Sequence, residues 1–123
     1  MTEVSLPKWA KLGAKHGALQ VVDVDADAAY EAWFAELGVD EPPDQYWLEV
    51  AYQCIKMELQ VAMRTFTFEI HVHDVGKKWA QSKYPKGRGA DYATMLVRDA
   101  KGKVLGGREA REHFKRLRGF VPS

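Results

Sequence analysis

Glu69-x-His71-x-His73 sets a carboxylate and two imidazoles at two-residue intervals, and on an extended strand that spacing brings all three to one side. Zinc takes both ligand types, and strand-borne zinc ligands do occur two residues apart. A complete site would need a third or fourth ligand, for which His16 or His113 could serve, with an open position to hold and activate a water. Asp74 follows closely. The plainer alternative is the solvent-facing half of a half-exposed strand, where alternate polar residues are expected without any metal.

Glu58 is anomalous for a different reason. With Trp47 at zero and 100° per residue, it falls at about 20°, near the centre of an apolar helical arc, with Cys54 one turn before it and Ala62 one turn after. Burying a lone carboxylate costs several kcal/mol. It must therefore meet Arg64, a His, a Tyr or a Trp, or keep its proton. Chemically, such a group would act as a general acid or base, or ligate a metal beside the histidine pair. Structurally, it would be an ion pair, or a carboxylate at the helix edge or a subunit interface. A small metal-dependent or acid/base enzyme using His71, His73 and Glu58 is thus one function to test. Cys54 reads as a small core residue, because nothing near it in sequence would lower its thiol pKa. There is no G-x-S-x-G, no GK[ST] and no C-x-x-C, so nucleophile elbows, phosphate-binding loops of the Walker type and zinc ribbons are excluded.

A third constellation lies between residues 74 and 118. Lys77, Lys78, Lys83, Lys86 and Arg88 alternate with Trp79, Tyr84 and Tyr92, which supplies cations for phosphates and flat rings for bases. Arg98, Lys101, Lys103, Arg108, Arg111, Lys115, Arg116 and Arg118 continue the positive charge. Gly106-Gly107 before a helix could offer backbone N–H groups to a phosphate, although two glycines there also serve simply as a turn.

Charge is segregated along the whole chain. Residues 1 to 62 hold four lysines, no arginine and eleven carboxylates, a net of −7, while residues 63 to 123 hold fourteen basic and six acidic side chains, a net of +8. Like charges on one surface repel unless something of opposite sign covers them. The expected function is therefore a small soluble binding or adaptor domain whose basic loop and C-terminal helix engage a polyanion, with nucleic acid as the first partner to expect and an acidic protein surface as the next. Self-association, with the acidic helices of one copy against the basic face of another, explains the same segregation as a homo-oligomer.

These groups need a scaffold, and 123 residues suffice for one domain with one core. A single Cys excludes an internal disulfide and the lack of Asn excludes N-glycosylation, which points to a reducing, cytoplasmic setting. No apolar run reaches membrane-spanning length, so no membrane association and no export signal are expected.

Ser5-Leu6-Pro7 predicts a short N-terminal helix and Leu19–Val24 a strand. Asp25 and Asp27 start a helix that carries Tyr30, Trp33, Phe34 and Leu37 and stops at Gly38. Pro42-Pro43-Asp44 opens a long central helix to about Arg64, with Glu49, Gln53, Lys56 and Gln60 as its narrow polar stripe. From Thr65 the period becomes two, with Phe66, Phe68, Ile70 and Val72 on one face. Tyr92 to Arg98 and Val104-Leu105 read as a hairpin around Lys101-Gly102-Lys103, and Arg108 to Arg118 as a last helix with a thin seam of Ala110, Phe114 and Leu117. Residues 74 to 91 form a long basic loop. The predicted architecture is α+β: a mainly antiparallel sheet of about four strands, with a long central helix and other helices packed on one face.

Overall fold

Three strands and three helices make up the described part of the chain: β1 (Ala10–His16), β2 (Leu19–Val24), α1 (Ala26–Leu37), α2 (Gln45–Ala62), β3 (Thr67–Val72) and α3 (Gly107–Arg118). The computed structural model describes residues 4–39, 45–72 and 106–121, without the side chains of His16, Gln45, Glu69, His71 and Val72. The basic loop expected over 74–91 and the hairpin expected over 92–105 both lie outside these residues. The architecture is α+β, and the sheet is mixed, in the order β1-β2-β3.

Two expectations need correction. The segment after Pro7 is strand β1, not a helix. Gly13 and Gly17 each weaken a helix by about 1 kcal/mol, whereas Gly17-Ala18 forms a two-residue turn that pairs His16 with Leu19. Gly17 has φ +62° and Ala18 does not share the positive sign, the pattern of a II′ hairpin turn. The ladder bulges between Leu12 and Lys15, and there the buried Gln20 amide donates to the carbonyl oxygens of Gly13 at 3.0 Å and Val21 at 2.9 Å. Second, the described sheet is not mainly antiparallel, because β3 runs parallel to β2. Parallel neighbours require a long crossover, and here α1 and α2 provide it.

The crossover fixes which side of the sheet is covered. Val22 and Val24 on β2 are fully buried among Trp33, Tyr30, Leu48, Ile55 and Leu59, and their register partners on β3 are Ile70 and Val72. Phe68 and Ile70 pack against the same core, as the period of two requires. Val21 is also buried but lies outside that core cluster, on the alternate face with Asp23. Glu69 and His71 are the register partners of Val21 and Asp23.

Asp25 caps α1 by accepting from the Ala28 N–H at 3.3 Å, and Gly38 closes it in the left-handed conformation. Helix α2 is the centre of the molecule, buried along Leu48, Ala51, Tyr52, Cys54, Ile55 and Leu59. Glu49 departs from the expected polar stripe: it is only 4% exposed. Burial pushes its carboxyl pKa up, against the opposing pull of the Gln53 hydrogen bond and the Lys56 charge. Helix α3 runs alongside α2 in the same direction. Gly106 at its start abuts Val50, the Cys54 thiol lies 3.8 Å from the Ala110 carbonyl oxygen, and Arg118 at its end reaches Glu58. Small side chains at Gly106, Ala110 and Cys54 permit this approach. Among the described residues no helix is long and apolar enough to cross a membrane.

Gly106 combines φ +76° with a Cβ position 2.7 Å from Val50 Cγ2, whereas Gly38 has φ +68° and open space around it. Gly38→Ala should therefore cost about 1 kcal/mol from backbone strain alone, and Gly106→Ala about 3 kcal/mol, because strain and overpacking add. Urea unfolding of both variants checks this, and equal losses would show that α3 does not approach α2 as closely as described.

Candidate functional site

Glu58 and Arg118 meet where α1, α2 and α3 converge. The Trp33 indole Nε1–H donates to Glu58 Oε1 at 2.9 Å, and Arg118 Nε lies 3.6 Å from the second carboxylate oxygen. Arg118 turns its other nitrogens to Glu36, at 3.2 Å and 3.3 Å. Its guanidinium also covers the Trp33 ring, 4.8 Å from the centroid, and that ring stacks on Phe114 at 5.9 Å. A single cation thus joins one carboxylate of α1 to one of α2 across an aromatic face. The side chains of Glu58 and Arg118 are 20% and 32% exposed, so the pair is screened less than a surface pair.

The electrostatics follow from this partial burial. Desolvation raises the Glu58 pKa, although Arg118 and the Trp33 hydrogen bond pull the other way. For Arg118, burial opposes the charge, but the Glu36 hydrogen bonds and the Glu58 charge outweigh it and raise its pKa. Cys54, one turn before Glu58, is pushed up to about 12 by burial and by the Glu58 charge, which makes it an inert thiol. Glu58 is therefore a paired carboxylate. Of the expected partner types Trp is found, Arg118 takes the place foreseen for Arg64, and among the described residues no histidine bonds to Glu58.

The outer side of α3 differs from its buried seam of Ala110 and Phe114. At 100° per residue Arg108, Arg111 and Lys115 fall within an arc of about 60°, and all three are exposed. Arg108 is 94% exposed and only 3.8 Å from Glu112, a pairing too solvated to hold it down. Among the described residues no carboxylate pairs with Arg111 or Lys115. Arg116 lies on another flank, where it donates to His113 Nδ1 at 2.7 Å. His113 Nε2 in turn faces Glu109 at 3.3 Å, Tyr46 donates to the same carboxylate at 3.3 Å, and the imidazole rests against Trp47. In that pattern Nδ1 accepts from Arg116 and Nε2 faces the Glu109 carboxylate.

The structure therefore separates residues that the sequence grouped together. Arg118 leaves the outward-facing cations, since two carboxylates of its own chain hold it. His113 is not a free metal ligand, because both ring nitrogens are engaged. Gly106 serves the turn and the close helix approach, which accounts for it without a phosphate. Among the described residues no group of three or more His, Cys, Asp or Glu could hold a metal ion. Lys77, Lys78, Trp79, Lys83, Tyr84, Lys86, Arg88 and His73 lie outside the described residues, as do the side chains of Glu69 and His71. The Arg118 clasp itself was missed by sequence reasoning. Its signal was present, since a carboxylate in an apolar arc demands a cation and Arg118 follows Phe114 by one helical turn.

Because the fold raises the Glu58 pKa, its contribution to stability is fully present below the ordinary value of 4.5 and is lost as pH rises through the higher folded value. Arg118→Met removes the compensating cation and should lose about 2–3 kcal/mol at pH 7, with a smaller loss near pH 4 where Glu58 holds its proton. Glu58→Gln keeps an acceptor for Trp33 and leaves Arg118 on Glu36, so it should cost about 1 kcal/mol or less. Urea unfolding at the two pH values reads both effects, and a loss for Arg118→Met that is the same at each pH would contradict the pairing. No protein-family model matches the chain, and no curated protein or solved structure matches it either.

Proposed function

We propose that this protein is a small binding domain that engages a polyanion, nucleic acid in the first instance, through the exposed cations of α3. The observation that supports this most is the ridge of Arg108, Arg111 and Lys115, which is exposed on a helix whose other side is anchored in the core. A rigidly held row of cations suits a phosphate backbone, because the side chains need little further ordering of the helix beneath them. Arg116 adds charge on the neighbouring flank while sharing its hydrogen bond with His113. Lys77, Lys78, Lys83, Lys86 and Arg88, with Trp79 and Tyr84, supply further cations and rings in the same half of the sequence. Their composition suits a single strand, whose bases can stack on flat side chains. Glu58 has no catalytic part in this reading, since Trp33 and Arg118 already occupy its oxygens.

Fluorescence anisotropy with labelled single- and double-stranded oligonucleotides tests the proposal. Binding at low salt should weaken as salt rises, since each neutralised phosphate releases counterions. The double reversal Arg111→Glu, Lys115→Glu should reduce affinity at least about tenfold with unfolding behaviour unchanged. No binding at low salt, or binding indifferent to the reversal, would overturn the assignment.

A further inference from the structure

A groove of about 580 Å³ opens where the end of α2, the entry to β3 and the segment after α3 meet, lined by Gln60, Met63, Arg64, Phe66, Phe68, Phe120 and Val121. That volume is in the range of small-molecule sites, roughly 300–1,000 Å³. Its accessible lining is about evenly polar and apolar, with three phenyl rings beside one cation and one amide, so it offers both a ring surface and polar groups that can fix a ligand's orientation. Phe120 is 48% exposed at its edge, and among the described residues the only other large apolar side chain so exposed is Leu12 on β1. Met63, by contrast, is fully buried and lies beneath the groove.

Arg64 is the second informative residue. It is exposed, and among the described residues no carboxylate pairs with it, whereas Arg118 and Arg108 both have acidic partners. A guanidinium beside phenyl rings recognises an anion attached to an apolar ring, since the planar fork takes a carboxylate in two parallel hydrogen bonds while the rings stack. A phosphate chain fits this lining poorly, because it would leave three phenyl rings against charged oxygens.

We propose that this groove binds a small aromatic carboxylate, with Arg64 holding the carboxylate, Phe66, Phe68 and Phe120 holding the ring, and Gln60 offering its amide at the rim. The site shares no residue with the cation ridge of α3, so either can exist without the other.

Amide chemical-shift titration of the intact protein with 2-naphthoate is the test. We expect saturable shifts around Gln60–Phe68 and Phe120, with a dissociation constant of about 0.1–1 mM for a ligand of this size. The uncharged 2-naphthylmethanol should bind about tenfold more weakly, and Arg64→Gln should bring naphthoate to the level of the alcohol while leaving the alcohol unchanged. Phe120→Ala should weaken both ligands, and Lys115→Glu neither. All three mutated side chains are exposed, so the variants should keep the wild-type spectrum away from the altered residue and the groove. Absence of saturable shifts in the groove, shifts confined to α3, or naphthoate affinity unaffected by Arg64→Gln would each overturn the site.

Discussion

A carboxylate at the junction of three helices cannot be left without a counter-charge, and the arrangement of α1, α2 and α3 answers that constraint at Glu58. The Trp33 indole satisfies one oxygen and Arg118 approaches the other, so the last turn of α3 is drawn onto α1 and α2 together. Apolar packing alone would not fix that position, since burial is non-directional. The seam of α3 is thin, with Ala110 and Phe114 as its buried residues, and one face of Phe114 is already set by its stacking on Trp33. Directional contacts from Arg118 therefore fix where the last turn of the helix sits against α1 and α2.

That anchoring gives α3 two unlike sides. Toward the core it meets Val50, Cys54 and Trp33 through small or flat groups, and toward solvent it carries Arg108, Arg111 and Lys115. Charge segregation in the sequence is thus partly neutralised within the molecule and partly left on its surface. Arg118 answers the acidic first half directly, through Glu36 and Glu58. On α1, the like charges Asp25 and Glu31 add to burial in raising the Asp27 pKa, so acidic repulsion persists on that side.

Much of the helical layer was legible because each helix carries its own boundary chemistry: Asp25 and Gly38 for α1, prolines before α2, and Gly119 after α3. The alternation of Phe66, Phe68 and Ile70 likewise reported which side of β3 faces the core. Strand β1 was not legible, since Ala-Lys-Leu-Gly-Ala-Lys-His has neither strong β propensity nor clean alternation and gains its conformation from pairing with β2. Parallel pairing of β3 was equally hidden, because a crossover of two helices carries no local mark of the direction in which the chain returns. Glu49 looked like a stripe residue from its neighbours on the wheel, yet the packing around α2 closes over that side too. Glu58 shows the opposite case, a residue whose position demanded a partner although its sequence could not say which.

The coupling between Glu58 and Arg118 is what holds the end of α3 in place, and it can be measured. A double-mutant cycle with Glu58→Gln, Arg118→Met and the combined variant, measured by urea unfolding at pH 7, isolates the pair from everything else each side chain touches. The combined variant should be less destabilised than the sum of the single changes by about 1–2 kcal/mol. Additive losses, within about 0.3 kcal/mol, would mean that α3 is not held by this pair.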